Sequence, residues 1–162
     1  MLRNINSLYR FKLGKVLPVL AACLCLGVLT TNVSAQKPGK DDQPCFSEYR
    51  GVQIGMKIDE ARLKLGKPKE MAEEADIYSF GDKESAQVYY DKTTQKITAI
   101  SVDYVGATGA PECKKVTGAD ADSKADGSKF KLIRYPKAGY WVSYNRTAGA
   151  TPIVTVTMQK IQ

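Results

Sequence analysis

The chain has no histidine among its 162 residues. This absence excludes Ser-His-Asp and Cys-His nucleophile systems, in which a histidine takes the proton of the nucleophile. It also removes the usual zinc sites, whose ligands are mainly imidazole and thiolate. No Gly-rich phosphate-binding loop is present either. We therefore expect no catalytic residue, no metal site and no cofactor, and a protein that is not an enzyme.

Acidic residues are also missing from the N-terminal 40 positions. Four basic residues before position 16 precede an apolar stretch from Val16 to Leu29, and Val33-Ser34-Ala35 then supplies small side chains. A basic start, a short apolar core and a small-residue cleavage site are typical of a secretory signal peptide. The sequence therefore predicts a signal peptide over residues 1–35 and a mature protein that works in the periplasm or outside the cell.

Two alternatives for this segment stay open. The apolar stretch could remain as an uncleaved anchor, although it is shorter than the roughly 20 residues of a membrane span. Leu20-Ala21-Ala22-Cys23 also has the form of a bacterial lipoprotein cleavage site, which would leave Cys23 lipidated and the protein attached to the outer membrane. The residues after Cys23 stay apolar up to Thr30, whereas a lipoprotein usually becomes polar at once.

Cysteine is scarce in the predicted mature chain, where only Cys45 and Cys113 remain. An even pair of cysteines in an exported domain predicts one disulfide. The alternative is a reactive thiol, which needs a basic neighbour to lower its pKa.

Cleavage after Ala35 leaves 127 residues, enough for one compact domain. Residues 36–44 are polar and contain Pro and Gly, so we expect a disordered tether before a single domain over residues 45–162. The mature net charge is +3, divided into −2 over residues 36–111 and +5 over residues 112–162. The basic half could attract an anionic partner, or its lysines could simply be solvated.

The folded part begins with a helical pattern and continues with alternating ones. Ile58, Ala61 and Leu65 share one helical face, and Gly66 followed by Pro68 predicts the end of the helix. Apolar and polar residues then alternate, which predicts strands over residues 76–80, 86–91 and 97–105.

The second half repeats this plan. Val88 to Thr93 matches Val142 to Thr147, and a helix at 112–118 and a strand at 130–135 precede the second copy. Ile153, Val156 and Met158 take the places of Ile97, Ile100 and Val102. We therefore predict an α+β fold of two tandem helix–β–β–β units, at about residues 51–105 and 110–160, that form one antiparallel sheet with both helices on one face.

Gly55 to Pro68, with the sequence GMKIDEARLKLGKP, resembles the Gly-Met helix motif of the SmpA/OmlA group, which includes outer-membrane-assembly lipoproteins and β-lactamase-inhibitor-protein-like (BLIP-like) proteins. The strand patterns at Tyr78 to Phe80 and Val88 to Asp91 are similar too. The resemblance implies helices layered on an antiparallel sheet whose open face binds another protein. Lys57 departs from it, because the family has a Ser or Thr helix cap there.

The candidate site follows from strand alternation. If Val88, Tyr90, Val142 and Tyr144 face the helices, then Tyr89, Trp141, Ser143 and Asn145 face outward, with Arg146 beside them. Trp and Tyr are frequent anchors of protein interfaces, so these five residues are the predicted partner-binding site. The alternative is that a loop such as 118–129 covers Trp141.

Basic residues also cluster near aromatic ones in the second half: Lys131, Arg134, Lys137 and Arg146 beside Tyr135 and Tyr140. This pattern favours an anionic glycan or lipid headgroup as an alternative partner, whereas an exported protein is not expected to bind nucleic acid. The acidic segments 70–74 and 120–127 lack the spacing of a catalytic pair or a calcium loop, so we interpret them as solvated. A lipid-anchored accessory of outer-membrane assembly remains the alternative function.

Overall fold

The computed structural model describes residues 43–162. The predicted signal peptide, Cys23 and the tether up to residue 42 lie outside these residues. In chain order the elements are α1 (Ile58–Leu65), β1 (Glu70–Met71), β2 (Ala75–Ser79), β3 (Glu84–Tyr90), β4 (Ile97–Val105), α2 (Cys113–Thr117), β5 (Asp122–Ser123), β6 (Lys129–Tyr135), β7 (Tyr140–Arg146) and β8 (Ile153–Lys160). Within residues 43–162, no helix has the length and apolar character needed to cross a membrane.

The eight strands form one antiparallel sheet in the order β1-β2-β3-β4-β8-β7-β6-β5. Each half of the described chain supplies one helix and four strands, and the halves meet where β4 pairs with β8. The predicted α+β class is therefore confirmed, with the sheet dominating over the helices.

The predicted three strands per half were too few. The additional strands, β1 and β5, have two residues each and pair with β2 and β6 at the two edges of the sheet. Two residues are too few to show an alternating pattern, so strand periodicity could not identify them. The other strands lie within two residues of their predicted positions.

Helix α1 begins at Ile58 without a side-chain cap. The backbone N–H of Ile58 instead donates to the carbonyl of Gln95 at 2.9 Å, and the Lys57 ammonium donates to the carbonyl of Thr94 at 2.8 Å. The β3–β4 loop thus accepts from the first backbone N–H of the helix and from the side chain of the residue before it, which anchors the helix start without a Ser or Thr cap. At the other end Gly66 has a φ of 85° and stops the helix, as predicted.

The core lies between one face of the sheet and the two helices. Ile58 and Ala61 from α1 and Val116 from α2 are buried together with alternate side chains of the central strands. Those strand side chains are Val88, Tyr90, Ile100, Val102, Val142, Tyr144, Val154, Val156 and Met158. We call this face the covered face, and it holds the four side chains predicted to point toward the helices.

One predicted correspondence between the halves is wrong. Ile97 is 1% exposed, whereas Ile153, its expected counterpart, is 39% exposed. A β-bulge explains the difference, because Tyr89 pairs with Ala99 but Tyr90 pairs with Ile97, which leaves Thr98 as an extra residue. The bulge turns Ile97 into the core, and β8 has no such bulge in its pairing with β4 or β7.

Candidate functional site: the open face of the sheet

Of residues 43–162, neither helix lies on the other face of the sheet, and we call it the open face. Period-two alternation places Tyr89, Trp141, Ser143 and Asn145 there, because Val88, Val142 and Tyr144 are buried on the covered face. Tyr89 is exposed, and the other three are partly exposed. Segment 118–129, the proposed cover for Trp141, supplies β5 at the sheet edge, two strands away from β7.

Strand pairing arranges the open face in rows, because residues directly opposite in an antiparallel pair point to the same side. Tyr89 and Trp141 belong to one row, with Ala99 and Gln159 between them. Three strand spacings separate the two aromatic side chains, or about 14 Å. Each row crosses the strands in the order β2, β3, β4, β8, β7 and β6. The first row is Ala75, Tyr89, Ala99, Gln159, Trp141 and Arg134, and the second is Ile77, Gln87, Ser101, Thr157, Ser143 and Leu132. The third row is Ser79, Ser85, Asp103, Thr155, Asn145 and Phe130.

Exposed apolar side chains concentrate on this face. Residues 43–162 contain seven exposed large hydrophobic side chains, and five of them belong to the open face: Tyr89, Val105, Phe130, Leu132 and Ile153. A folded chain normally scatters such residues singly over its surface. Their concentration on one sheet face makes it the candidate interaction surface.

The polar side chains between the apolar ones are held in place across the strands. Thr155 donates its hydroxyl hydrogen to Asp103 at 2.6 Å, and the hydroxyls of Ser101 and Thr157 lie 3.1 Å apart. The phenol of Tyr89 donates to the side-chain oxygen of Gln87. These bonds fix rotamers before any partner arrives, which lowers the entropic cost of binding.

A groove of about 430 Å³ opens on this face beside Tyr89. Its base contains the small side chains Ala99 and Ser101, and its rim includes Tyr89, Glu74 and Gln159. The small side chains of β4 lie between larger ones on its neighbours β3 and β8. This leaves space for a protruding side chain of a partner.

The structure does not bring the predicted basic cluster together. Lys131 is 4% exposed on the covered face, where its ammonium lies 3.4 Å from the Asp122 carboxylate. Arg134 is on the open face, whereas Arg146 pairs with buried Val154 and so has the register of the covered face. Tyr135 and Tyr140 are buried and offer no exposed ring for stacking.

Sequence reasoning missed Phe130 and Leu132. In β6 the usual pattern is reversed, since these two apolar side chains are exposed and Lys131 between them is buried. The sequence signal for this was Lys131 between two apolar residues, Phe130 and Leu132. In a strand next to the edge of a sheet, this pattern indicates that the apolar pair lies on the open face. The ammonium of Lys124 lies 5.6 Å from the centre of the Phe130 ring.

The two cysteines approach the same turn without being bonded. Cys45 Sγ lies 3.2 Å from where a Cβ on Gly118 would be, and Cys113 Sγ lies 3.5 Å from Thr117 Oγ1. Burial raises the pKa of the Cys113 thiol, which makes it a poorer nucleophile. The disulfide stays a prediction.

The ionisable groups of the covered face form structural pairs. Asp76 is the one buried carboxylate in residues 43–162, and Arg62 donates to its two oxygens at 2.7 and 3.0 Å. Glu84 accepts from Tyr49 at 2.6 Å and from Arg50 at 3.1 Å. Asp76 and Glu84 are thus held in separate structural pairs, and the described part of the chain holds no acidic or thiol cluster able to bind a metal.

No protein-family model matches this chain, and neither a curated protein nor a solved structure does.

Proposed function

We propose that this chain is an exported, non-enzymatic binding module that holds a protein partner on its open sheet face. The observation that carries the proposal is that five of the seven exposed large hydrophobic side chains of residues 43–162 share the open face with Trp141. Together with hydroxyl and carboxylate side chains bonded across the strands, they supply apolar anchors inside a polar surround, which is the composition of protein interfaces.

The charges of this face favour a protein over an anionic polymer. In its three rows Arg134 is the sole basic side chain and Asp103 the sole acidic one. An anionic glycan or lipid surface needs several cations on one side of the molecule, whereas Lys131 is buried and Arg146 has the other register.

The tandem organisation belongs to the same proposal. The strand order is symmetric about the β4–β8 pair, and each half runs helix, short edge strand and three longer strands. Duplication of a BLIP-like unit, as the SmpA/OmlA-like motif implies, would produce such a sheet with one open face. Lipid anchoring at Cys23 would add attachment to the outer membrane and leave this face available.

The test is a pull-down from envelope extract with the exported protein as bait. Trp141→Asp places a charge on the open face, so a specifically captured protein should be lost. Leu63→Asp is the matched control, because Leu63 is 87% exposed on α1, away from the open face. Circular dichroism establishes that both variants fold. Equal capture by wild type and folded Trp141→Asp would refute the proposed site.

A further inference from the structure

We infer that the partner of the open face is a second copy of this chain, bound face to face about a two-fold axis that runs parallel to the strands between β4 and β8. This inference rests on the proposed function, because it names the partner of that same face. It follows from the strand order and from the pairing register of the rows.

The strand order determines which strands would meet. Rotation by half a turn about this axis reverses the order of the strands, so that β3 of one copy lies over β7 of the other and β2 lies over β6. Position along the strands is unchanged, so each residue stays in its own row. Two sheets packed in this way lie about 10 Å apart with their strands within about 30° of each other.

The apolar side chains then oppose one another in reciprocal pairs. Tyr89 of one copy faces Trp141 of the other, because both belong to the same row and lie equally far from the axis. Ile77 faces Leu132 in the second row, and Val105 faces Ile153 beyond the third. An aromatic pair with its rings in contact adds to the stabilisation from buried area.

The polar side chains also oppose polar ones. Gln87 lies over Ser143, and Ser85 lies over Asn145. Ser101 lies over Thr157, although these two already bond within each sheet. Six of the nine pairs in the three rows match in polarity, and the mixed ones are Phe130 over Ser79, Gln159 over Ala99 and Arg134 over Ala75. A surface that matches itself in this way is what a two-fold interface requires.

Charge complementarity points to the same arrangement. Arg134, the basic residue of the three rows, lies over Ala75, and the residue before Ala75, Glu74, lines the groove beside Tyr89. The two-fold axis makes this contact twice, once from each copy. Opposite charges facing each other across an interface fix register and orientation.

The area is sufficient for a reversible dimer. Six strands at about 4.8 Å spacing and three rows at about 6.8 Å cover roughly 600 Å² on each copy, or about 1,200 Å² in all. That total is at the low end for specific interfaces, so we expect dissociation in the micromolar range.

The experiment is sedimentation equilibrium on the exported protein, purified from cells that make the full chain, between about 1 and about 200 μM. We expect a monomer–dimer equilibrium for wild type and for Leu63→Asp. Trp141→Asp and Tyr89→Asp should each raise the dimer dissociation constant by a factor of about 30 or more. Arg134→Glu should also weaken the dimer, and adding Glu74→Lys to it should restore most of the affinity.

The remaining outcomes separate this inference from the proposed function. If the wild-type protein stays monomeric yet captures an envelope protein through Trp141, the inference of a second copy as partner is overturned. The proposed function, a protein-binding open face, would then stand. A monomer that captures nothing overturns both. A dimer that survives Trp141→Asp and Tyr89→Asp overturns the face-to-face arrangement, since its interface must lie elsewhere.

Discussion

Asp76 shows what a single residue contributes when it is completely buried. Its carboxylate has no exposed surface, and the Arg62 guanidinium from α1 holds both of its oxygens. The pairing raises the pKa of Arg62, which keeps the guanidinium charged. The pair joins α1 to β2. Its contribution to stability depends on both partners being present, because a buried charge without a counter-charge is costly.

Removal of Arg62 should therefore be strongly destabilising. We expect Arg62→Met to lower the free energy of unfolding by about 3–5 kcal/mol, because it leaves the Asp76 carboxylate buried without a counter-charge. The measurement is urea unfolding followed by circular dichroism at neutral pH. The double variant Arg62→Met/Asp76→Leu should recover much of the loss.

Asp59 provides the control for this pair. Its side chain is 87% exposed and lies 3.2 Å from Arg62. Asp59→Ala should change the free energy of unfolding by less than about 1 kcal/mol, as for other surface ion pairs. If Arg62→Met costs no more than Asp59→Ala, the ion pair is not what fastens α1.

Helix α2 depends on its tertiary contacts for stability. It has five residues, far fewer than an isolated helix needs in water, so tertiary contacts must hold it. Val116 and Thr117 are buried, and Cys45 approaches its end at Gly118. Gly118 has a φ of 75°, a conformation that glycine adopts without strain, and a Cβ there would also crowd Cys45 Sγ.

If the chain is exported as proposed, we expect the Cys45–Cys113 disulfide to form, which would join the N-terminal segment to α2. Two thiols lose their hydrogens to a disulfide-bearing thiol oxidase, so the intact mass should be lower by two hydrogens. Closing a loop of this length should stabilise the fold by on the order of 3–4 kcal/mol, and reductant should remove that stability.

Cys45→Ser is the matched control for the disulfide, because its stability should not respond to reductant. Alkylation under denaturing conditions without reductant measures the thiols directly. Labelling of both Cys45 and Cys113 in freshly exported protein would show that the disulfide does not form.

Prediction at the level of elements succeeded where the signal is local. The 3.6-residue period and Gly66 predicted α1, and alternation predicted the covered face of β3 and β7. It did not predict the bulge at Thr98 or the reversed polarity of β6, because each depends on pairing with another strand.

Tyrosine packing gives the whole molecule a sensitivity to alkaline pH. Burial raises the pKa of Tyr78 to about 12, with a further contribution from the Asp76 charge. Burial also raises the pKa of Tyr49, Tyr104, Tyr135, Tyr140 and Tyr144. In the unfolded chain these phenols ionise near pH 10, so above that pH the unfolded state releases protons that the folded state retains.

Stability should therefore be fully present below pH 10 and fall as the pH rises toward 12. Tyr78 alone should contribute a loss of up to about 2 kcal/mol over this interval. The measurement is the free energy of unfolding in urea at a series of pH values. Tyr78→Phe should reduce the slope above pH 10, and an unchanged slope would show that this phenol does not take part.

The sequence by itself determined the local features of this protein. They are the positions of the helices and long strands, the residues that enter the core, and the absence of histidine-based chemistry. These features follow from residue type and short-range period, which do not depend on the rest of the chain. It also placed Tyr89 and Trp141 on one face, since alternation separates the two sides of any strand.

Only the tertiary structure decided what shares that face and in what order. The pairing of β4 with β8 joins the two halves and puts Tyr89 and Trp141 in one row. The pairing of β7 with β6 and β8 separates Arg134 from Arg146 and adds Phe130 and Leu132 to the open face. The physical reason is that register between strands distant in the chain is set by the hydrogen-bonded ladder and the packing of the covered face, and a one-residue shift would exchange the two faces.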